Sequence, residues 1–319
     1  MSKYEQFKVP RLDDYSLDSR PSKVSQDDFA RPLQERSIAG LIRSFPRILA
    51  ARELLDLADR LLQARRKKRA RIWGFGGHVI KVGLAPTLID LMERGLVTAL
   101  ATNGSGLIHD FEIGWCGHTS EDVEPQLASG AFGMARETGE YLNRAIAQGA
   151  AQGLGIGESA GRLMDESPLR HPEKSLFLQA YRQGIPCTVH MALGTDIIHN
   201  HPQASGSALG EGSMADFRIL TRQVQELDQG GVFVNMGSAV ILPEVFLKTI
   251  SMIRNSGLPL KDFTTANLDF IQHYRPTQNV VRRPVAAGGK GIALTGHHEI
   301  LLPLLAAVLL EKESSDSES

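Results

Sequence analysis

Residues 70–106, ARIWGFGGHVIKVGLAPTLIDLMERGLVTALATNGSG, set the beat by which the rest of the chain is read. Ala70 to Trp73 is a short apolar strand that feeds Gly74-Phe75-Gly76-Gly77. Leu84 to Met92 has apolar residues at helical spacing, Val97 to Ala101 is a second apolar strand, and Thr102-Asn103-Gly104-Ser105-Gly106 is a second loop of small residues. Apolar runs of strand length separated by a 3.6-residue period read as strand–helix–strand units. The same beat extends outward. Helical spacing covers 41–62, 121–152, 176–182, 217–227, 244–254 and 301–310, and apolar strands are expected at 186–191, 231–235, 263–268 and 291–294. Strands that alternate with helices need crossover connections, so the expected fold is α/β: a Rossmann-like parallel sheet with helices on both faces.

A chain of 319 residues, 42% hydrophobic, can bury the core of one large domain. Its formal charge of −1 gives no field to gather nucleic acid or an anionic membrane, which points to a small-molecule partner. The one basic run, Arg65 to Arg71, closes a helix, where cations oppose the negative end of the dipole. Two cysteines, Cys116 and Cys187, cannot build a disulfide framework, and the N-terminus has no apolar leader, so a cytoplasmic location is expected. Residues 1–35 are rich in charge, Ser and Pro and read as a polar arm; residues 312–319 read as an acidic disordered tail; residues 36–311 form the α/β domain between them.

In open parallel sheets ligands bind beyond the carboxyl ends of the strands, so the loops there carry the functional reading. The first is Gly74-Phe75-Gly76-Gly77-His78, which lacks the usual GxGxxG spacing. The second is Thr102 to Asp110, with His109 and Asp110. The third, HMALGTDIIHNH, places His190, Thr195, Asp196, His199 and His201 within twelve residues. The fourth is Gly296-His297-His298-Glu299 at the start of the last helix. A fifth stretch, His273 to Arg283, carries Arg275, Asn279, Arg282 and Arg283, and is expected to be a loop. Gly288-Gly289-Lys290-Gly291 precedes a strand and lacks the following Ser or Thr, so it is not a Walker motif.

The order of these loops resembles the deoxyhypusine synthase family from about residue 70 to residue 310. The resemblance lies in GFGGHVIKVGL, VTALATNGSGLIHDFE, IPCTVHMALGTD and LTGHHEILLPLLAAVLL. It implies the NAD-binding fold of that family, a homotetramer, and a cofactor site at Gly76, Gly77, Lys81, Thr102, Asn103, Gly104, His297 and His298, which Asp196 would join. The family's paired glutamates fall at Ile108 and His109. Its imine-forming lysine falls in Gln278 to Pro284, where no lysine occurs, and arginine cannot be deprotonated to replace it. Lys248 and Lys290 are the neighbouring lysines.

The expected function is therefore a deoxyhypusine synthase-like, NAD-dependent transferase or oxidoreductase that acts on a small amine or hydroxyl substrate, polyamine chemistry included, but does not perform true deoxyhypusine synthesis. His109, Asp196 and His199 are the expected catalytic residues. Two alternatives stand beside it. One is a divalent-metal enzyme using His78, His109, His190, Asp196, His199, His201, His297 and His298; the other is a non-catalytic oligomeric ligand-binding protein.

Overall fold

The computed structural model describes residues 2–317. Six strands form one sheet in the order β3-β2-β1-β4-β5-β6: β1 Arg71–Phe75, β2 Ala99–Thr102, β3 Cys187–Val189, β4 Val232–Met236, β5 Phe263–Asp269 and β6 Gly289–Thr295. Every neighbouring pair is parallel, with Trp73 opposite Leu100 on one side and Val234 on the other. Each strand falls within a few residues of an apolar run in the sequence, and the sheet is Rossmann-like with helices on both faces. The sequence steps outward from β1 to β2 and β3, then returns to β4 on the other side of β1. That reversal marks the seam between β1 and β4, where open sheets hold ligands.

The two faces are built by the strand period of two. Trp73, Phe75, Leu100, Val234 and Leu268 pack with residues of α2 (Leu49–Arg66), α4 (Ala85–Glu93) and α13 (His298–Ser317). Their strand neighbours Ile72, Ala101 and Phe233 face the opposite way. They pack against Leu220 and Val224 of α10 (Gly206–Gln225) and Phe246 and Ile250 of α11 (Ile241–Asn255). The rings of Phe233 and Phe246 stack there at 3.8 Å.

Several helices depart from the sequence reading, each for a local reason. The helical stretch 41–62 splits into α1 (Ile38–Ser44) and α2 around Pro46, whose ring disfavours a helical residue before it. A short α3 (Gly77–Lys81) follows the first glycine loop. The stretch read as a loop from Thr102 is a helix, α5 (Gly104–Cys116), because the Asn103 side chain accepts from Gly106 N at 3.2 Å and caps it. The expected helix 121–152 is two, α6 (Val123–Ser129) and α7 (Arg136–Ala151), followed by α8 (Ile156–Glu166) and α9 (Leu176–Arg182). The stretch 273–283, expected as a loop, winds into α12 (Tyr274–Pro276) and a π-helical turn over Thr277–Arg282.

Two buried carboxylates hold the β3 side together. Asp216 of α10 accepts from Val189 N on the edge strand at 2.8 Å and from Gly157 N at the start of α8 at 3.0 Å. One side chain thus satisfies a strand edge and a helix N-terminus that has no cap of its own. Burial pushes the Asp216 carboxyl up to about 7 against the pull of these N–H groups. Asp110 does the same for α9, accepting from Leu176 N at 2.7 Å, Phe177 N at 3.1 Å and Ser175 Oγ at 2.7 Å, and burial raises it to about 6. The basic run closes α2: Arg71 donates to the carbonyl of Ala64 at 3.3 Å and to that of Arg69.

Residues 2–35 have no regular structure beyond two single turns, Leu17–Ser19 and Gln26–Asp28, and are exposed apart from Asp28. Hydrogen bonds from Arg31 N to Ser44 O and from Arg47 N to Asp28 O tie the end of this arm to α1. At the other end α13 continues through 312–317, with Lys312 paired to Asp59 at 2.6 Å; the rest of the expected tail, 318–319, lies outside the described residues. Among the described residues no helix is long and apolar enough to cross a membrane. Cys116 and Cys187 are both free.

Candidate functional site

A cavity of about 210 Å³ opens beyond the carboxyl ends of β1, β2 and β3. Each strand contributes a segment to it. α3, after β1, supplies Lys81; α5, after β2, supplies Ser105, His109 and Glu112; the loop after β3 supplies Thr195 and Asp196; and Glu121 enters from the chain beyond α5. Lys81, His109, Thr195 and Asp196, all singled out in the sequence, thus line one pocket. Glu112 and Glu121 are walls that sequence reasoning missed. Glu112 stands three residues after His109, one turn along the same helix face. That spacing was legible only once residues 104–116 were known to be helical.

His109 and Glu112 are linked through a hydroxyl. The His109 Nδ1 lies 2.7 Å from Thr119 Oγ1, and Thr119 donates to the Glu112 carboxylate. Thr138 Oγ1 donates to the other Glu112 oxygen at 3.0 Å, so two hydroxyls fix this carboxylate from opposite sides. Glu121 accepts from Gly133 N at 2.9 Å. Burial pushes the His109 imidazole below its ordinary range, opposed by Glu112 and assisted by Lys81, which keeps the ring neutral near pH 7.

Asp196 is held by its loop and by a close approach to α5. A Cβ on Gly104 would lie 2.2 Å from Asp196 Oδ2, so only glycine at the first turn of α5 leaves room for this carboxylate. Burial raises the Asp196 carboxyl above its usual range. His199 stands behind it and does not line the pocket. Its Nδ1 accepts from Gly194 N and Asp196 N, both at 3.2 Å, and its Nε2 is buried without a protein partner. The His199 ring therefore shapes the backbone that presents Asp196.

The remaining candidates lie along the same sheet edge, on both sides of the β1–β4 seam. Gly76 and Gly77 open α3, and Asn103 and Gly104 open α5. Thr102 Oγ1 donates to Phe75 O at 2.8 Å, tying the two strand ends together. A Cβ on Gly76 would meet Gly237 O at 2.5 Å and one on Gly77 would meet Ser105 Oγ at 2.4 Å, so these glycines let neighbouring loops close on one another. His297 is exposed and stacks on Phe270 at 5.8 Å. His298 is buried, donates from Nε2 to Leu268 O at 3.1 Å, and reaches back over Gly237 to within 5.7 Å of the His78 ring. Its Nδ1, the acceptor of the neutral ring when Nε2 donates, is buried with no protein partner. Burial lowers the His298 imidazole, so the acceptor form persists.

Other expectations are corrected. The histidines do not converge on a metal: among the described residues no group of three or more His, Cys, Asp or Glu is placed to hold one. They are spent singly instead. His190 is buried beside Thr188 Oγ1 at 3.0 Å and pushed to about 4, and His201 Nε2 lies 2.9 Å from Gly133 O. Arg275 pairs with Glu244 of α11 at 3.2 Å, and Arg283 donates to Asn279 of its own segment at 2.8 Å. Lys248 pairs with Glu244 on the outer face of α11. Lys290 pairs with Asp56 at the opposite, amino end of β6, so neither lysine enters the pocket.

No protein-family model matches the chain. A deoxyhypusine synthase-like protein of Chlorobaculum parvum is 22% identical over 231 residues, which cover 61% of this chain and 65% of the relative. The chain is thus similar, at a distance, to a deoxyhypusine synthase-like protein, and spans less than two thirds of its length. Solved structures share the fold. The ternary complex of AgrE with ornithine and NAD+ superposes with a TM-score of 0.57 at 14% identity, covering 86% of this chain and 35% of that one. A LOR/SDH protein of Methanococcus maripaludis S2 gives 0.54 at 15% identity, covering 95% and 76%.

Proposed function

We propose that the protein is an NAD-dependent enzyme that oxidises or reduces the carbon bearing an amine or hydroxyl group of a small, cationic substrate. The observation that carries this reading is the pocket beyond the carboxyl ends of β1, β2 and β3 that gathers Lys81, His109, Glu112, Glu121 and Asp196. The likeness to a deoxyhypusine synthase-like relative supports it, as does the fold shared with a protein solved with ornithine and NAD+.

The residues present fit a dinucleotide. The unpartnered Nδ1 of His298 offers an acceptor to a hydroxyl or amide at the seam, and the start of α5 at Asn103 and Gly104 turns backbone N–H groups toward the same edge. Gly76, Gly77, Thr102 and His297 would frame the site, with Lys81 placed to hold a phosphate. When bound, the nicotinamide accepts or returns a hydride. The chain supplies the rest. Glu112 and Glu121 hold the substrate cation, and His109, neutral by burial, takes the proton that leaves the amine or hydroxyl as the hydride leaves its carbon. Asp196 orients that group, and His199 holds Asp196. The products are an imine or carbonyl, a proton on His109 and the reduced cofactor, so atoms and electrons balance.

The experiment is incubation with NAD+ and a panel of small diamines, amino acids and amino alcohols, followed at the absorbance of the reduced nicotinamide. Turnover of at least one cationic substrate that is lost in His109→Gln is expected. No turnover across the panel, together with no shift of the melting temperature by NAD+ or NADH, would overturn the reading.

A further inference from the structure

The amino edge of the sheet holds a polar cavity that the proposed reaction does not use. It measures about 210 Å³ and lies where β4 and β5 begin. Arg60 of α2 and Lys67, the residue that closes that helix, form one side; Gln229 and Gly230 come from the chain before β4, and Asp262 immediately precedes β5. The frame is fixed by hydrogen bonds. Arg60 donates to Thr264 Oγ1 of β5 at 3.1 Å and to Asp56 at 3.0 Å. Gln229 N donates to Lys261 O at 3.0 Å and Lys261 N to the Asp228 carboxylate at 2.8 Å, which ties the two loops together. Gln229 at φ 63° and Asp262 at φ 54° are both left-handed, a conformation that persists in such residues only where the surroundings enforce it.

Two opposite charges in this cavity are unspent. Lys67 lies across Gly230, with its Nζ 3.8 Å from where a Cβ would stand there, and Gly288 leaves room for the Asp262 carboxylate, whose Oδ1 a Cβ would meet at 2.6 Å. Among the described residues neither Lys67 nor Asp262 forms an ion pair or a side-chain hydrogen bond, with each other or with a neighbour. The negative end of α2 accounts for a cation at 67, but not for an unpaired carboxylate in the same cavity. We infer that the cavity binds a small zwitterion, a carboxylate and an ammonium group on one short chain, with the carboxylate on Lys67 and Arg60 and the ammonium on Asp262. A lone anion meets Asp262 and a lone cation meets Lys67 and Arg60, so only a ligand that carries both charges answers every group. The site shares no residue with the cavity beyond β1, β2 and β3, and its occupancy is independent of the proposed reaction.

Calorimetry on the full chain without NAD, at low salt, tests this with glycine, 3-aminopropionate and 4-aminobutyrate, which differ in the span between their charges. One of the three is expected to bind about tenfold more tightly than acetate or ethylammonium, as a second charged hydrogen-bond partner implies. Lys67→Met keeps the apolar stem, and Asp262→Asn keeps a residue that tolerates the left-handed backbone. Both side chains are exposed, so both variants are expected to fold. Each should weaken the zwitterion about tenfold, and His109→Gln should leave it unchanged. Equal affinity for the zwitterions and the single-headed controls, or unchanged affinity in either variant, overturns the site. Binding of inorganic phosphate that survives Asp262→Asn, with no zwitterion bound, makes this an anion site and overturns the assignment as well.

Discussion

The two halves of the sheet share one carboxyl edge but spend their polar groups differently. Beyond β4 and β5 most polar side chains are answered by a neighbour, the buried Asn235 Oδ1 and His298 Nδ1 excepted. Asn235 donates to Asn267 at 2.7 Å, Asn267 to Gln272 at 2.8 Å, and Glu244 gathers Lys248, Arg275 and Asn279. Beyond β1, β2 and β3 the carboxylates of Glu112, Glu121 and Asp196 keep capacity that, among the described residues, no ion pair fills; Lys81 lines the same pocket. Function is expected where capacity is left over, and a charged residue count alone does not locate it. The arginine-rich stretch 275–283 and the histidine-rich stretch 190–201 both looked chemical in the sequence. One is consumed in holding α12 to α11, and the other contributes Thr195, Asp196 and Ile197 to the pocket but none of its histidines.

The comparison breaks most visibly in catalysis. His109→Gln and Asp196→Asn should each lower kcat/KM by about 10²- to 10⁴-fold, the usual worth of a positioned proton-transfer group, while Arg275→Gln and Lys248→Gln should leave it unchanged in the same assay. The pH profile sharpens this. His109 must be neutral to accept a proton, and burial lowers its pKa, so the acid limb assigned to it should fall below the ordinary imidazole value near 6.5. Removing Glu112 by Glu112→Gln should move that limb lower still, because its charge stabilises the imidazolium.

Stability effects come next. Phe246→Ala, which empties the stack on Phe233, should cost about 3–5 kcal/mol in denaturant unfolding. Asp216 tests the tie between β3 and α8 through pH. Its folded carboxyl is raised to about 7 from the ordinary aspartate value of 3.8, so its contribution is full below about pH 4 and is lost as pH rises through 7. A melting temperature that declines across this window in wild type, and declines less in Asp216→Asn, is the expected result. The smallest effect belongs to the saturated half: Glu244→Gln breaks exposed pairs worth about 0.2–1 kcal/mol each and should barely move the unfolding midpoint.

The strands were legible because each is a run of apolar residues too short for a helix, and their order with the intervening helices fixed a parallel sheet. The helix starts were less so. Gly104-Ser105-Gly106 looks like a loop until Asn103 is seen to cap it, and α8, with Gly157 and Gly161, hides among residues of low helix propensity. That same misreading concealed Glu112. The roles of Asp110 and His199 were beyond sequence altogether, since each depends on backbone N–H groups brought to it by folding. Asp110 meets those of α9, and His199 meets those of its own loop.

Hydrogen exchange with and without NAD+ tests the division between the halves most directly. Protection is expected in peptides covering 74–83, 100–112 and 296–300, with none in 241–255 or 274–283. Protection concentrated in 241–283 instead, with 74–83 and 100–112 unchanged, would place the ligand on the saturated half and contradict it.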